Sequence, residues 1–178
     1  MRIKHVAALP FAVMLAACTT ATTTPPAVSP IASTSVPDSD GIVSRFDNDI
    51  WPAIAAYNAD ASQNGPADAK LAKVIDPTAS PGRAQLRDAV HSLGENSHDN
   101  TMEGRPTRDP WKGLQLGSSL LTAVNSPDAV LQVCYTYTLT NAQPGTSEAT
   151  IELHKSDVWY LHAVTNDHVV PGCQNSKA

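Results

Sequence analysis

Apolar side chains recur every three or four residues through Ile42, Phe46, Ile50, Ile54, Tyr57 and Ala61, the stripe of an amphipathic helix. Pro52 falls inside that stripe. A proline has no amide proton, and its ring crowds the carbonyl four residues back. The pattern therefore predicts a regular helix starting near Pro52, with Asp49 near its N-cap and Phe46 in a preceding turn. Gly65-Pro66 closes this segment, and Leu71, Val74 and Ile75 mark a short helix over 67–75. Ser80-Pro81 reads as an N-cap and first helical residue, followed by Leu86, Val90 and Leu93, with Gly94 as the stop.

After Pro110 the period changes from helical spacing to alternation. Leu114, Leu116, Leu120 and Val124 share one parity, and Asn125-Ser126-Pro127-Asp128 makes a turn. Between Ala129 and Thr140, Leu131, Val133, Tyr135, Tyr137 and Leu139 face one way. Gln132, Cys134, Thr136 and Thr138 face the other. The segments 149–154 and 158–165 form a hairpin. Pairing His154 with Val158 gathers Ile151, Leu153, Trp159, Leu161 and Ala163 on one face, whereas pairing it with Trp159 splits them, so the first register is expected. Helices followed by antiparallel strands predict an α+β domain over residues 40–173. Its N-terminal helices pack on a curved sheet of about four strands.

Nothing before residue 40 fits this pattern. Arg2 and Lys4 precede Val6–Ala17, which is apolar apart from Pro10. A span needs about 20 such residues, so this stretch matches the apolar core of a secretory signal instead. Leu15-Ala16-Ala17-Cys18 resembles the lipobox of bacterial lipoproteins. The resemblance implies that 1–17 is a signal peptide and that Cys18 is diacylated as the mature N-terminus; an ordinary signal cut near Ala17, with an incidental cysteine, is the competing reading. Residues 18–39 then form the lipidated cysteine and a tether. Sixteen of the twenty residues from Thr19 to Asp38 are Thr, Ser, Pro or Ala, a composition that favours an extended spacer, and Thr beside Pro suits O-glycosylation. Residues 174–178 read as a flexible tail.

Charge narrows the partners. The chain carries a net charge of −5, with pI near 5.6, which argues against nucleic acid because phosphate binding needs a basic patch. Loss of the leader would leave ten basic residues against seventeen acidic ones, a charge of −7. Such a polypeptide gains nothing from anionic headgroups, so the acyl chains themselves must anchor it to the outer face of the cell membrane.

If Cys18 carries lipid, Cys134 and Cys173 remain, and an exported protein meets an oxidising compartment where a disulfide persists. Cys134 lies on the Thr-rich face opposite the core, within reach of a tail folding back. A redox pair is the alternative, but it would be supported by a C-x-x-C spacing that the chain lacks.

The order of one long helix, shorter helices and four strands ending in residues 149–165 resembles the NTF2-like (cystatin-like) superfamily. Cys134-Tyr135-Thr136-Tyr137 and Pro171-Gly172-Cys173 resemble small cell-envelope lipoproteins of the mycobacterial type. The resemblance implies a cone walled by Ile54, Tyr57, Val133, Tyr135, Tyr137, Leu153, Trp159 and Leu161. Superfamily enzymes place an Asp or His base inside the cone beside an oxyanion-stabilising group. Here the inward polar tips are tyrosines, and Asp47, Asp49 or His91 would enter only with different helix phases.

The chain has no G-x-S-x-G elbow, P-loop or H-E-x-x-H motif. His154 and His162 share a face, but the expected register separates them by about 13 Å, too far for one ion, with Glu152 diagonal to His162. The stretch 94–110, with Glu95, His98, Asp99, Glu103, Arg105, Arg108 and Asp109, reads as a solvated polar loop whose spacing shows no ligand geometry. No catalytic residue, metal or cofactor is therefore expected. The expected function is a membrane-anchored, non-catalytic binding or accessory module of the cell envelope, taking a small apolar ligand or a protein partner. An isomerase- or cyclase-type enzyme and a purely structural or antigenic component are the alternatives.

Overall fold

A computed structural model describes residues 35–60, 65–79, 82–95 and 106–173. The leader, Cys18, most of the tether, Ala61, Ser80-Pro81, His98, Asp99, Glu103, Arg105 and the tail lie outside the described residues. The first helix begins at Ile42, where Asp38 caps it: the amides of Ile42 and Val43 donate to its two carboxylate oxygens at 2.6 and 3.1 Å. It then runs without a break through the α-helical turn Ile42–Arg45, the π-helical turn Phe46–Ile50 and the α-helix Trp51–Asn58. The expected start near Pro52 is thus corrected. The widened turn just ahead of Pro52 absorbs its ring and its missing amide, so the helix continues. Phe46 is fully buried inside this helix, and Asp49 is no cap but pairs with Arg45 at 2.9 Å.

Gly65 is the N-cap, with φ of 69°, of the second helix, Pro66–Val74, so Gly65-Pro66 opens a helix rather than closing one. The third helix, Arg83–His91, follows Gly82, and the chain turns away at Gly94 with φ of 77°. A left-handed φ suits glycine, so Gly94 is the stop that the pattern predicts.

Four strands follow: β1 (Gln115–Asn125), β2 (Asp128–Thr138), β3 (Pro144–Lys155) and β4 (Trp159–Val169). They form one open antiparallel sheet in sequence order. Together with the three helices this is an α+β fold. β2 and β3 keep strict alternation: Ala129, Leu131, Val133, Tyr135 and Tyr137 oppose Leu153, Ile151, Ala149, Ser147 and Gly145 on the core face. Phe46, Ile50 and Ile54 of the first helix are buried in the same core, with the Trp51 ring tilted against that of Tyr135 at 5.6 Å between ring centroids. Both sheet edges are partly covered. The Val36 amide donates to the Leu121 carbonyl on β1, and the Asp76 amide donates to the Leu161 carbonyl on β4, each at 2.9 Å.

The outer strands break the expected parity. β1 shifts register between Leu116 and Ser118 and again between Leu121 and Ala123. Leu116, Ser119, Leu121 and Val124 therefore oppose the core-face residues Tyr135, Val133, Leu131 and Ala129, while Leu120 opposes Gln132 on the outer face. The hairpin pairs Lys155 with Trp159, His154 with Tyr160 and Leu153 with Leu161, two residues away from the expected register but with its parity kept. A shift between Glu152 and Leu153 then sets Val164, not Ala163, opposite Ile151. An extra residue in one strand has no partner and swaps the faces of those beyond it, which sequence alternation alone cannot reveal.

Candidate functional site

All eight residues expected to wall an interior are buried: Ile54, Tyr57, Val133, Tyr135, Tyr137, Leu153, Trp159 and Leu161. They belong to one continuous buried core. Tyr137 opposes Gly145 at one end of β3, whereas Leu153 and its neighbour Leu161 lie toward the hairpin end near Trp159. Eight residues of strand separate the ends, about 26 Å at the rise of an extended chain. Burial raises the pKa of Tyr57 above the ordinary phenol value, and the charge of Asp68 on the second helix adds to this.

The tyrosine end carries a polar cluster. The Tyr135 hydroxyl donates to Asp167 Oδ1 at 2.5 Å, and the Gly94 amide donates to Asp167 Oδ2 at 2.8 Å. Tyr137 and Ser147 share a hydrogen bond of 3.1 Å between their hydroxyls. Arg108, its side chain wholly buried, donates through Nη2 to the His91 carbonyl at 3.0 Å and to Glu95 at 2.9 Å, which takes it out of the solvated loop where it was expected. Its Nε and Nη1, like Nδ1 of His91, are buried and have no hydrogen-bond partner among the described residues. Gly94 permits this packing, since a β-carbon there would meet both the Arg108 Cδ and the Tyr137 ring at 3.2 Å. Burial pushes the phenols of Tyr135 and Tyr137 upward, and the adjacent carboxylate of Asp167 pushes in the same direction. Both remain protonated donors throughout the physiological range.

A carboxylate thus does sit against the inward tyrosines, contrary to the expectation of tyrosines alone. The sequence pattern hides Asp167 because β4 runs on to Val169, past Thr165, through a stretch whose polarity resembles a loop. The signal available was the position of Pro171-Gly172, which marks the true strand end. Asp47 also turns toward the core face, accepting from the Ser119 hydroxyl at 2.6 Å, while Asp49 is exposed. Chemically, a neutral phenol paired with a half-buried carboxylate can orient a polar group of a ligand or exchange a proton with it.

On the outer face the structure overturns the separation of the two histidines. The rings of His154 and His162 lie 5.7 Å apart, centroid to centroid, because both the hairpin register and the following bulge differ from strict alternation. Each ring is held at Nδ1 by a carboxylate: Asp128 at 2.7 Å from His154 and Asp76 at 2.8 Å from His162. Burial pulls the pKa of Asp76 up, but the hydrogen bonds from His162 and from the Thr78 amide and hydroxyl outweigh it, leaving Asp76 below the usual carboxylate value.

Cys134 is the one outer-face residue of β2 that is fully covered, and its cover is the C-terminal segment. Cys134 and Cys173 lie with their sulfurs at bonding distance and their α-carbons 5.5 Å apart, within the range a disulfide requires. No protein-family model, curated protein or solved structure matches this chain. Among the described residues no helix is long and apolar enough to cross a membrane.

Proposed function

We propose that this protein is an exported lipoprotein, anchored through Cys18, whose NTF2-like domain acts as a binding or accessory module of the cell envelope. The observation that carries this reading is the use of its cysteines. The chain has three, and two of them stand at disulfide distance across 39 residues, a pairing that persists in exported proteins and is rare in reducing compartments. The third sits directly after an apolar signal core, where lipidation would give it a role. The module's binding end is the Tyr135–Asp167 and Tyr137–Ser147 cluster, which supplies oriented hydroxyls beside apolar surface for a small apolar ligand with a polar group. A protein partner is the other candidate occupant.

Fractionation of cells expressing the wild type and Cys18→Ala tests the anchor. The wild type should partition with membranes and carry a diacylated Cys18 by intact mass, and the variant should be released or retain its leader. Unmodified Cys18 in mature membrane-bound protein would refute the proposal.

Asp167 favours one second reading, an enzyme that moves a proton. A carboxylate hydrogen-bonded to a buried phenol is the kind of pair that could accept a proton from a carbon acid while a hydroxyl stabilises the resulting oxyanion. Turnover of such a substrate that disappears in Asp167→Asn, with folding intact, would establish that reading over the binding module.

A further inference from the structure

We propose that His154 and His162 form a two-imidazole site for a divalent first-row transition metal ion on the outer face of the sheet. Three observations carry this.

The first is proximity. Imidazole nitrogens sit about 2.0–2.1 Å from a bound ion. With each ring centre roughly 1 Å behind its nitrogen, two rings sharing one ion have centroids on the order of 5–6 Å apart. The observed 5.7 Å falls in that window.

The second is the protonation pattern imposed by the partners. A carboxylate only accepts, so the hydrogen bonds from Asp128 and Asp76 place the ring protons on Nδ1 of both histidines. The Nε2 lone pairs are left for a ligand. A carboxylate behind each imidazole is also the arrangement that fixes the tautomer and raises the basicity of a metal-bound histidine. Asp76 is itself fixed by two bonds from Thr78, each of 2.7 Å, and by its amide on Leu161, so the His162 anchor is built into the sheet edge.

The third is access. The side chains of His154 and His162 retain 29% and 28% of their exposure, enough for an ion to reach them from solvent. Among the described residues no group of three or more His, Cys, Asp or Glu is arranged around one ion, so water would complete the coordination sphere. Two imidazoles and water suit copper(II) best, then zinc, and should ignore magnesium and calcium, which demand oxygen ligands.

The test uses the full chain in detergent, titrated with copper(II) and separately with zinc and magnesium. One equivalent of copper should bind with an electron paramagnetic resonance signal showing two equivalent nitrogen donors, and zinc should compete for it. His154→Gln and His162→Gln, which keep a donor for Asp128 and Asp76, should each weaken copper at least tenfold and remove one nitrogen from the spectrum. Asp76→Asn should weaken binding on the order of 10- to 100-fold with the nitrogen count unchanged, as loss of an outer partner does. His168→Gln should leave the site as it is, with thermal melts confirming that each variant is folded. Copper binding that survives both His154→Gln and His162→Gln at wild-type strength, or no binding at 100-fold excess of copper, would overturn the proposal; the rings would then be a surface stack with two ion pairs.

Discussion

The bridge between Cys134 and Cys173 should supply a large share of the domain's stability. Its loop has a sequence separation of 39. In the chain-entropy treatment a loop of this length removes about 13 cal/mol/K from the unfolded ensemble, or about 4 kcal/mol at 25 °C. Against the roughly 5–15 kcal/mol that holds a typical domain together, this is decisive. Reduction, or the pair Cys134→Ala/Cys173→Ala, should lower the melting temperature by roughly 10–15 °C, as read by circular dichroism with and without reductant. A change below about 1 kcal/mol, or free thiols in native protein, would refute the reasoning.

Gly117 provides a sharper control for the same bridge. A β-carbon at this bulge position would lie 2.6 Å from Cys173 Sγ and 3.2 Å from the Cys134 carbonyl oxygen. The first contact is with a sulfur tethered on both sides, so it cannot swing away. Gly117→Ala should therefore cost about 1–3 kcal/mol as an overpacked site in the bridged protein. In the cysteine-free background the sulfur is gone and most of that cost should vanish. A double-mutant cycle with a coupling near zero would show that the tail does not rest on Gly117.

Two further outcomes follow from the tyrosine cluster. Gly145 faces Tyr137 across the β2–β3 pair, and a β-carbon there would overlap its ring, with Cζ only 2.6 Å away. Gly145→Ala should thus destabilise by about 1–3 kcal/mol in urea and break the Tyr137–Ser147 bond, whereas unchanged stability would refute the packing. Because the folded pKa of Tyr135 is raised while the unfolded phenol titrates near 10, stability should be complete below about pH 10 and fall as pH rises beyond it. Tyr135→Phe should flatten that alkaline decline, and a spectrophotometric titration in which every tyrosine of the folded protein ionises near pH 10 would contradict the burial.

The comparison of pattern with structure separates what local chemistry reveals from what it hides. The helix stripe, the strict alternation of β2 and β3, the glycine stop at Gly94 and the cysteine pairing were all readable, because each depends on residues whose own period or valence states the answer. Pro52 misled, since a breaker and a π-helical turn look alike until the neighbouring packing of Phe46 and Trp51 decides between them. The strand parities failed at bulges. Leu120 and Ala163 are apolar residues on the wrong face, and nothing in their own side chains announces this. The same irregularities conceal the two chemical groupings: strict alternation sets His162 too far from His154 and ends β4 before Asp167.

The second irregularity of β4 is where the interior carboxylate is set. Between Glu148 and Thr150 the β3–β4 register shifts again, and Asn166 lies in that shift with φ of 53°, in the left-handed region. An asparagine tolerates this conformation, whereas a β-branched residue pays about 1–2 kcal/mol there. The neighbouring Asp167, just past that turn of backbone, accepts from both the Tyr135 hydroxyl and the Gly94 amide. Asn166→Gly should therefore keep the stability within about 0.5 kcal/mol and retain the Tyr135 contact. Asn166→Val should lose about 1–2 kcal/mol and, by straightening the strand, draw Asp167 away from Tyr135. The two effects can be read separately: unfolding in urea gives the first, and the alkaline titration of Tyr135 gives the second, since a phenol freed from the carboxylate ionises at lower pH. If Asn166→Val leaves the tyrosine titration unchanged despite its cost, the bulge shapes the strand without positioning Asp167.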